Sequence, residues 1–230
     1  MSVFDGIQLP KVIYETDSPY NGHIQVVQIG NTLKIKVDKF EQSISHDSPA
    51  TSRLVWGKTV DLLKEETPEL KKVLILGLGG GTMAKLISLS FPGSEIISVD
   101  IDQIMYDVAR AYFGVDQIPN HRVIIDDALR VVVQPEKYDL TYGDFDAVIV
   151  DIYVGEKYPD LGKSGNFVAA LKRLTKHGGL LIFNRIYLEY HQDEVNTFID
   201  YVSEFLKDVK CTIVAGYTNS DNILIAGNVE

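Results

Sequence analysis

The run Leu76-Gly77-Leu78-Gly79-Gly80-Gly81-Thr82 is the stretch whose residue types and spacing point most directly to chemistry. It follows the apolar run Val73-Leu-Ile-Leu76 and opens a stretch of helical periodicity from Thr82 to Phe91. Glycines between a strand and a helix let a ligand approach the backbone, and the free amides at the helix start favour a polar or anionic group. A tight turn without a ligand is the bland alternative; the glycine content in this context favours a nucleotide-type ligand. Two ligand classes compete, a dinucleotide and an S-adenosyl sulfonium compound. The dinucleotide fingerprint needs glycine at position 82, where this chain has Thr82, and a second βαβαβ half, where this chain ends in a hairpin. The sulfonium donor fits better.

Carboxylates recur at the ends of the strands that follow. Asp100 closes the second strand and is placed to accept hydrogen bonds from ribose hydroxyls, whereas Asp102 suits a helix N-cap better. Asp126-Asp127-Ala128 closes the third strand at the same edge, where a carboxylate either accepts from an adenine amino group or sits in a solvated turn. Asp151 closes the fourth, where it either orients and deprotonates an attacking amine or caps a strand end. Tyr153, Tyr158 and Tyr217 are candidates for an acceptor pocket, although among 12 tyrosines ordinary packing is the commoner role. The histidines show neither H-x-x-x-H nor H-E-x-x-H spacing, so no metal is expected.

The elements that must position these residues fall into two groups. Residues 11–16, 23–29, 33–37 and 40–44 alternate apolar and polar side chains, and Gly30-Asn31 reads as a hairpin turn. They predict a small β cap within residues 1–48. Residues 49–230 form the main domain: a helix over 51–65, then strands 73–76, 95–100, 122–125, 145–150 and 179–183. These alternate with helices over 82–91, 102–113, 164–176 and 190–206, and a hairpin of 212–217 with 222–226 ends the chain. Such β-α-β alternation predicts a parallel sheet covered on both faces. The cap alone cannot bury both its faces, which predicts a homo-oligomer, most simply a dimer.

Composition narrows the partners. The chain has 230 residues, 45% of them hydrophobic, and a net charge of −10, with no basic run to offset it. Nucleic acid would be repelled. The single Cys211 forms no internal disulfide, no apolar block is long enough for a membrane helix, and no basic region followed by an apolar block opens the chain. A cytoplasmic, globular protein is expected, with neither membrane nor nucleic acid as partner.

Over nearly its whole length the chain resembles the spermidine synthase family. The similar features are the N-terminal cap, Gln42 in Phe-Glu-Gln-Ser, Val73 to Gly81, Val99-Asp-Ile-Asp102, Asp127-Ala128 and Phe145 to Asp151. Ile75 also matches, since common methyltransferases carry an acidic residue two positions before the first glycine. The resemblance implies an α/β, Rossmann-like class I methyltransferase fold: a mostly parallel seven-stranded sheet ending in an antiparallel hairpin, behind a β cap used for oligomerisation. It implies donor-binding positions at Gln42, Gly77, Gly79, Gly80, Gly81, Asp100, Ile101, Asp127 and Ala128. Among these Asp100 would take the ribose and Asp127 the adenine. Asp151 matches the family's catalytic aspartate and Tyr217 an acceptor-side tyrosine.

Two positions depart from the family pattern. Gly80 stands where the family's loop has an aspartate, and Val154 where a second aspartate follows the catalytic strand. In the family these carboxylates hold the ammonium ends of decarboxylated S-adenosylmethionine and of the polyamine. One carboxylate about 5 Å from the donor tail is worth roughly 3 kcal/mol at an effective dielectric near 20. Its loss makes ordinary S-adenosylmethionine, with its own carboxylate, more acceptable. The leading expectation is therefore an S-adenosyl-dependent transferase that methylates a small amine. Aminopropyl transfer from decarboxylated S-adenosylmethionine to a polyamine is the alternative, with Glu156 or Asp160 replacing the carboxylate missing at Val154. A non-catalytic nucleoside-binding or scaffold protein is the third reading.

Overall fold

The structure is a computed structural model that describes residues 9–38, 40–153, 165–187, 192–216 and 221–230. The cap is a four-stranded antiparallel sheet of β1 (Lys11–Ser18), β2 (Gly22–Ile29), β3 (Thr32–Val37) and β4 (Phe40–Ile44), in that spatial order. The main domain begins with α1 (Val55–Glu66), β5 (Lys72–Leu76), α2 (Thr82–Ser90), β6 (Glu95–Asp100) and α3 (Gln103–Phe113). It continues with β7 (His121–Ile125), α4 (Ala128–Val133), β8 (Phe145–Val150), α5 (Gly165–Leu174) and β9 (Thr175–Tyr187). It closes with α6 (Gln192–Ser203), β10 (Lys207–Val214) and β11 (Asp221–Asn228). The seven-stranded sheet runs β10-β11-β9-β8-β5-β6-β7. Strands β9, β8, β5, β6 and β7 are parallel, and β11 lies antiparallel between β9 and β10, giving the expected α/β fold with its terminal hairpin.

The two-residue period of the strands decides the layers. In β5, Val73 and Ile75 face one way, against Trp56, Val60 and Leu63 of α1 and Met83, Ala84 and Ile87 of α2. Leu74 and Leu76 face the other way, against Val131 and Val132 of α4, Phe167 and Leu171 of α5, and Val195 and Phe198 of α6. A strand buried on both faces has no polar register to alternate with, which is why these runs are continuously apolar. The cap packs differently: the pairs Ile24–Val37 and Val26–Ile35 present four fully buried side chains to Met105 and Val108 of α3.

The departures from the sequence reading are local. Helix α4 was not foreseen, because its Val131-Val132-Val133 run carries β-branched residues that favour strands; Asp127 nucleates it as the N-cap, accepting from the amides of Leu129 and Arg130. Helix α5 stops at Leu174, two residues short of the expected Lys176, because Thr175 already pairs with Phe145 in the sheet. Strand β9 also runs on to Tyr187, held there by continuous pairing with β11.

Candidate functional site

The carboxyl ends of β8, β5, β6 and β7 lie side by side and are stitched together by backbone hydrogen bonds. The Asp151 amide donates to Leu76 O (2.8 Å), Gly77 to Val99 O (2.8 Å) and Asp126 to Asp100 O (3.0 Å). With strands about 4.8 Å apart, this edge spans roughly 14 Å from Asp151 to the end of β7. That length suits an extended nucleoside with a sulfonium tail.

The first glycine is a packing requirement before it is a ligand contact. Gly77 has φ +104°, and a Cβ there would lie 2.0 Å from the Asp151 carbonyl oxygen. No other residue type lets β5 turn while β8 passes so close. Gly79 and Gly81 also have positive φ, and Gly81 is the N-cap of α2. The carbonyl oxygen of Gln42, in the middle of β4, would lie 3.2 Å from a Cβ on Gly79, so its backbone borders the loop.

Gly80 is different, since its φ is not in the left-handed region. A Cβ on it would meet Ser43 Oγ at 2.9 Å and the Phe113 ring at 3.1 Å. The Ser43 hydroxyl donates to Thr82 Oγ1 (2.7 Å), which in turn donates to Ile44 O (2.5 Å). Thr82, the residue that spoils the dinucleotide fingerprint, is thus tied to the cap. A second tie lies at the next strand end, where Ser18 Oγ (2.5 Å) and Asn21 Nδ2 (2.6 Å) both donate to Asp102 Oδ2. Asp102 is buried and caps α3 through the Ile104 amide, as expected of it.

Asp100 accepts from the amides of Leu78 (3.0 Å) and Asp102 (2.9 Å). Burial pushes its carboxyl up to about 6, against the opposing effect of the Asp102, Leu78 and Gly79 amides. Ile101 follows at the β6–α3 turn with 37% of its surface exposed, an apolar side chain left open beside Asp100. Asp127 turns one carboxylate oxygen to the N-terminus of α4, and Ala128 is buried beneath that turn. Its neighbour Asp126 is committed to Tyr138 Oη, to Arg130 and to the Asp127 amide, and the Tyr138 hydroxyl is the main reason its carboxyl lies below the ordinary range. A groove of about 660 Å³ between α4 and α5 borders this edge at Asp127 and reaches neither Asp100 nor Asp151.

Asp151 carries the other end. Burial raises its carboxyl above the ordinary value, opposed by a 2.6 Å hydrogen bond from Asn184 Nδ2. Asn184 Oδ1 accepts from Asn222 Nδ2 (2.9 Å), while Tyr153 Oη donates to Asn184 O (2.8 Å) and accepts from the Ile186 amide (2.7 Å). Tyr153 therefore anchors the chain after β8 to β9 through its hydroxyl. Sequence reasoning passed over Asn184, Asn222, Ser18, Asn21 and Ser43. Asn184 had a signal, a polar residue directly after the apolar run Leu180 to Phe183. Tyr217, Val154, Tyr158, Glu156 and Asp160 lie outside the described residues. Among the described residues no cluster of metal-ligating side chains is present, and no helix is long and apolar enough to cross a membrane.

Residues 59–225 match the family described as the spermine/spermidine synthase domain. An eEF1A lysine and N-terminal methyltransferase homolog of Drosophila pseudoobscura pseudoobscura is 40% identical over 82 residues, 36% of this chain and 12% of that protein. A polyamine aminopropyltransferase of Vibrio vulnificus is 30% identical over 117 residues, 51% of this chain and 38% of that protein. This chain thus spans less than half the length of either relative. In fold it is similar to a probable spermidine synthase from Corynebacterium glutamicum, with TM-score 0.73 and 17% identity, covering 95% of this chain and 80% of that one. A spermidine synthase in complex with the transition state analogue AdoDATO gives TM-score 0.74 and 16% identity, covering 95% of this chain and 73% of that one.

Proposed function

The chain belongs to the spermine/spermidine synthase domain family, and we propose that it is an S-adenosylmethionine-dependent methyltransferase acting on an amine. The observation that carries this reading is Gly80: its α-carbon is closed in by Ser43 and Phe113, so the loop presents no carboxylate to the donor's tail. A donor that keeps its own carboxylate is then not repelled. The relative named as an eEF1A lysine and N-terminal methyltransferase supports the choice of methyl group and amine.

The residues fit such a donor. Asp100 would offer a carboxylate to ribose hydroxyls, the exposed Ile101 would offer apolar surface to the base, and Asp127, with one carboxylate oxygen capping α4, would offer the other to the adenine amino group. When bound, the donor supplies an electrophilic carbon on a positively charged sulfur. The attacking amine forms a nitrogen–carbon bond as the carbon–sulfur bond breaks, and the electron pair leaves on sulfur to give a neutral thioether. Asp151 holds the amine and takes up the proton it sheds; burial raises the carboxyl above the ordinary value and makes it a stronger base. Most of the acceleration then comes from holding nitrogen and carbon in line.

The test is calorimetry with S-adenosylmethionine and its decarboxylated form side by side. Comparable or tighter binding of S-adenosylmethionine is expected; a strong preference for the decarboxylated donor together with turnover of putrescine overturns the reading. That result would favour aminopropyl transfer to a polyamine, which the relative named polyamine aminopropyltransferase supports. Binding of neither donor would leave a scaffold role. Gly80→Asp alone is a poor discriminator, because its Cβ meets Ser43 Oγ and lowers stability whatever the donor. The cytoplasm is the proposed compartment, since the enzyme would draw on a soluble donor. The exposed Val12, Tyr14 and Tyr20 of the cap mark the surface proposed for a homodimer, which sedimentation of the whole chain tests.

A further inference from the structure

Three neighbouring strands bring an aspartate and two asparagines onto one face of the sheet. Val150 pairs with Phe183 across β8 and β9, so the residues that follow them, Asp151 and Asn184, stand opposite each other. Asn184 pairs with Leu224 across β9 and β11, and Asn222, two residues before Leu224, is its diagonal neighbour on the same face. By the two-residue period this is the face that carries Ile149, Ile182 and Leu224 into the core. The outcome is a chain of amides, Asn222 Nδ2 to Asn184 Oδ1 and Asn184 Nδ2 to Asp151 Oδ1.

We propose that Asn184 is a positioning residue that holds the Asp151 carboxylate in one orientation, and that Asn222 sets the sense of the Asn184 amide. The role rests on the reading of Asp151 as the residue that receives the acceptor amine. An ionised carboxylate only accepts hydrogen bonds, so Asn184 must turn its NH2 toward it. Asn222 enforces this by donating to Asn184 Oδ1; without it the amide is free to turn its oxygen toward Asp151, which is repulsive. Asn184 is 3% exposed, so water cannot substitute for it easily. Asp151 Oδ1 is thereby occupied, while Oδ2 accepts no hydrogen bond among the described residues and is the oxygen left for an incoming amine. Tyr153 locks the same corner by bridging Asn184 O and the Ile186 amide.

Among the described residues, the charged groups on the neighbouring strands are turned elsewhere. On β9, Arg185 reaches Glu194 and the Phe198 ring of α6. Asp221 on β11 accepts from the Gly216 amide, and Gly77 and Leu78 bring no titratable side chain. Among the described residues, burial and the Asn184 hydrogen bond are thus what shift the affinity of Asp151 for a proton.

The test uses the whole chain and the variants Asn184→Ala and Asn222→Ala, with Asp151→Asn to assign the signal. Carbon-detected NMR follows the titration of the Asp151 carboxyl, and steady-state kinetics with S-adenosylmethionine follow methyl transfer to an amine acceptor. In Asn184→Ala the Asp151 midpoint is expected to move up and kcat to fall about 100-fold, with the donor KM within twofold. Asn222→Ala is expected to move both in the same direction by less. If the Asn184 variant does not fold, the Asn222 variant decides alone. An unmoved midpoint in every folded variant overturns the inference, even where methyl transfer is confirmed. A moved midpoint in a protein that binds no adenosyl donor supports the positioning and rejects the methyltransferase reading.

Discussion

The two ends of the strand edge are built by different means. At the proposed donor end, around Gly79, Gly80 and Asp100, the surroundings are backbone amides and the cap: Ser43 and Gln42 border the glycine loop, and Ser18 and Asn21 grip Asp102. At the acceptor end, around Asp151, the surroundings are side chains from the last strands of the sheet, Asn184 and Asn222, with Tyr153. On the proposed reading, a donor common to many reactions is recognised largely by backbone geometry, which tolerates sequence change. Placing a reactive carboxylate needs particular side chains, so that end is the more sensitive to single substitutions.

The sharpest break is Asp151→Asn, which keeps shape and removes the base. Transfer should fall by about 10²- to 10⁴-fold while donor affinity stays within twofold in calorimetry; equal loss of both would erase the division between the two ends. Gly77→Ala attacks the point where the ends meet, because its Cβ would sit 2.0 Å from Asp151 O at a φ that disfavours a side chain. A loss of roughly 3 kcal/mol or more in urea unfolding is expected, and a variant of wild-type stability would show that the contact is relieved cheaply.

Asp100→Ala should weaken donor binding by about 1 to 3 kcal/mol and leave the Asp151 titration unmoved. The same residue predicts a pH signature. Its carboxyl ionises near 6 when folded and near 3.8 when unfolded, so the folded state holds the proton more tightly. The Asp100 contribution to the stability of the free protein therefore falls as pH rises from about 4 to about 6 and is level above that, by at most roughly 3 kcal/mol. Donor binding runs the other way, since the ribose hydroxyls need the ionised acceptor. Asp100→Asn should flatten both profiles, checked by urea titrations and calorimetry at pH 5 and 7.5.

The smallest effect is expected at the cap. Ser18→Ala or Asn21→Ala removes one of the two side-chain hydrogen bonds to the buried Asp102 carboxylate and should cost about 1 to 2 kcal/mol of stability, with donor affinity changed no more than about threefold. A larger loss of affinity than of stability would make the cap a part of the donor site rather than its support.

The sequence alone was enough for the order of the strands, for the glycine turn and for the row of carboxylates at Asp100, Asp127 and Asp151, because periodicity, glycine and strand-end position are local signals. It was enough too for Asp102 as a cap, since the N-cap position is defined by the helix that follows. Helix α4 was hidden because Val131 to Val133 have the propensity of a strand, and only the Asp127 cap and burial against α5 made them helical. The chain of Asn222, Asn184 and Asp151 and the closing of Gly80 by Ser43 were decided by tertiary structure alone. Each joins residues more than 30 positions apart, and which side chains meet across strands depends on register and sheet order, which no local pattern encodes.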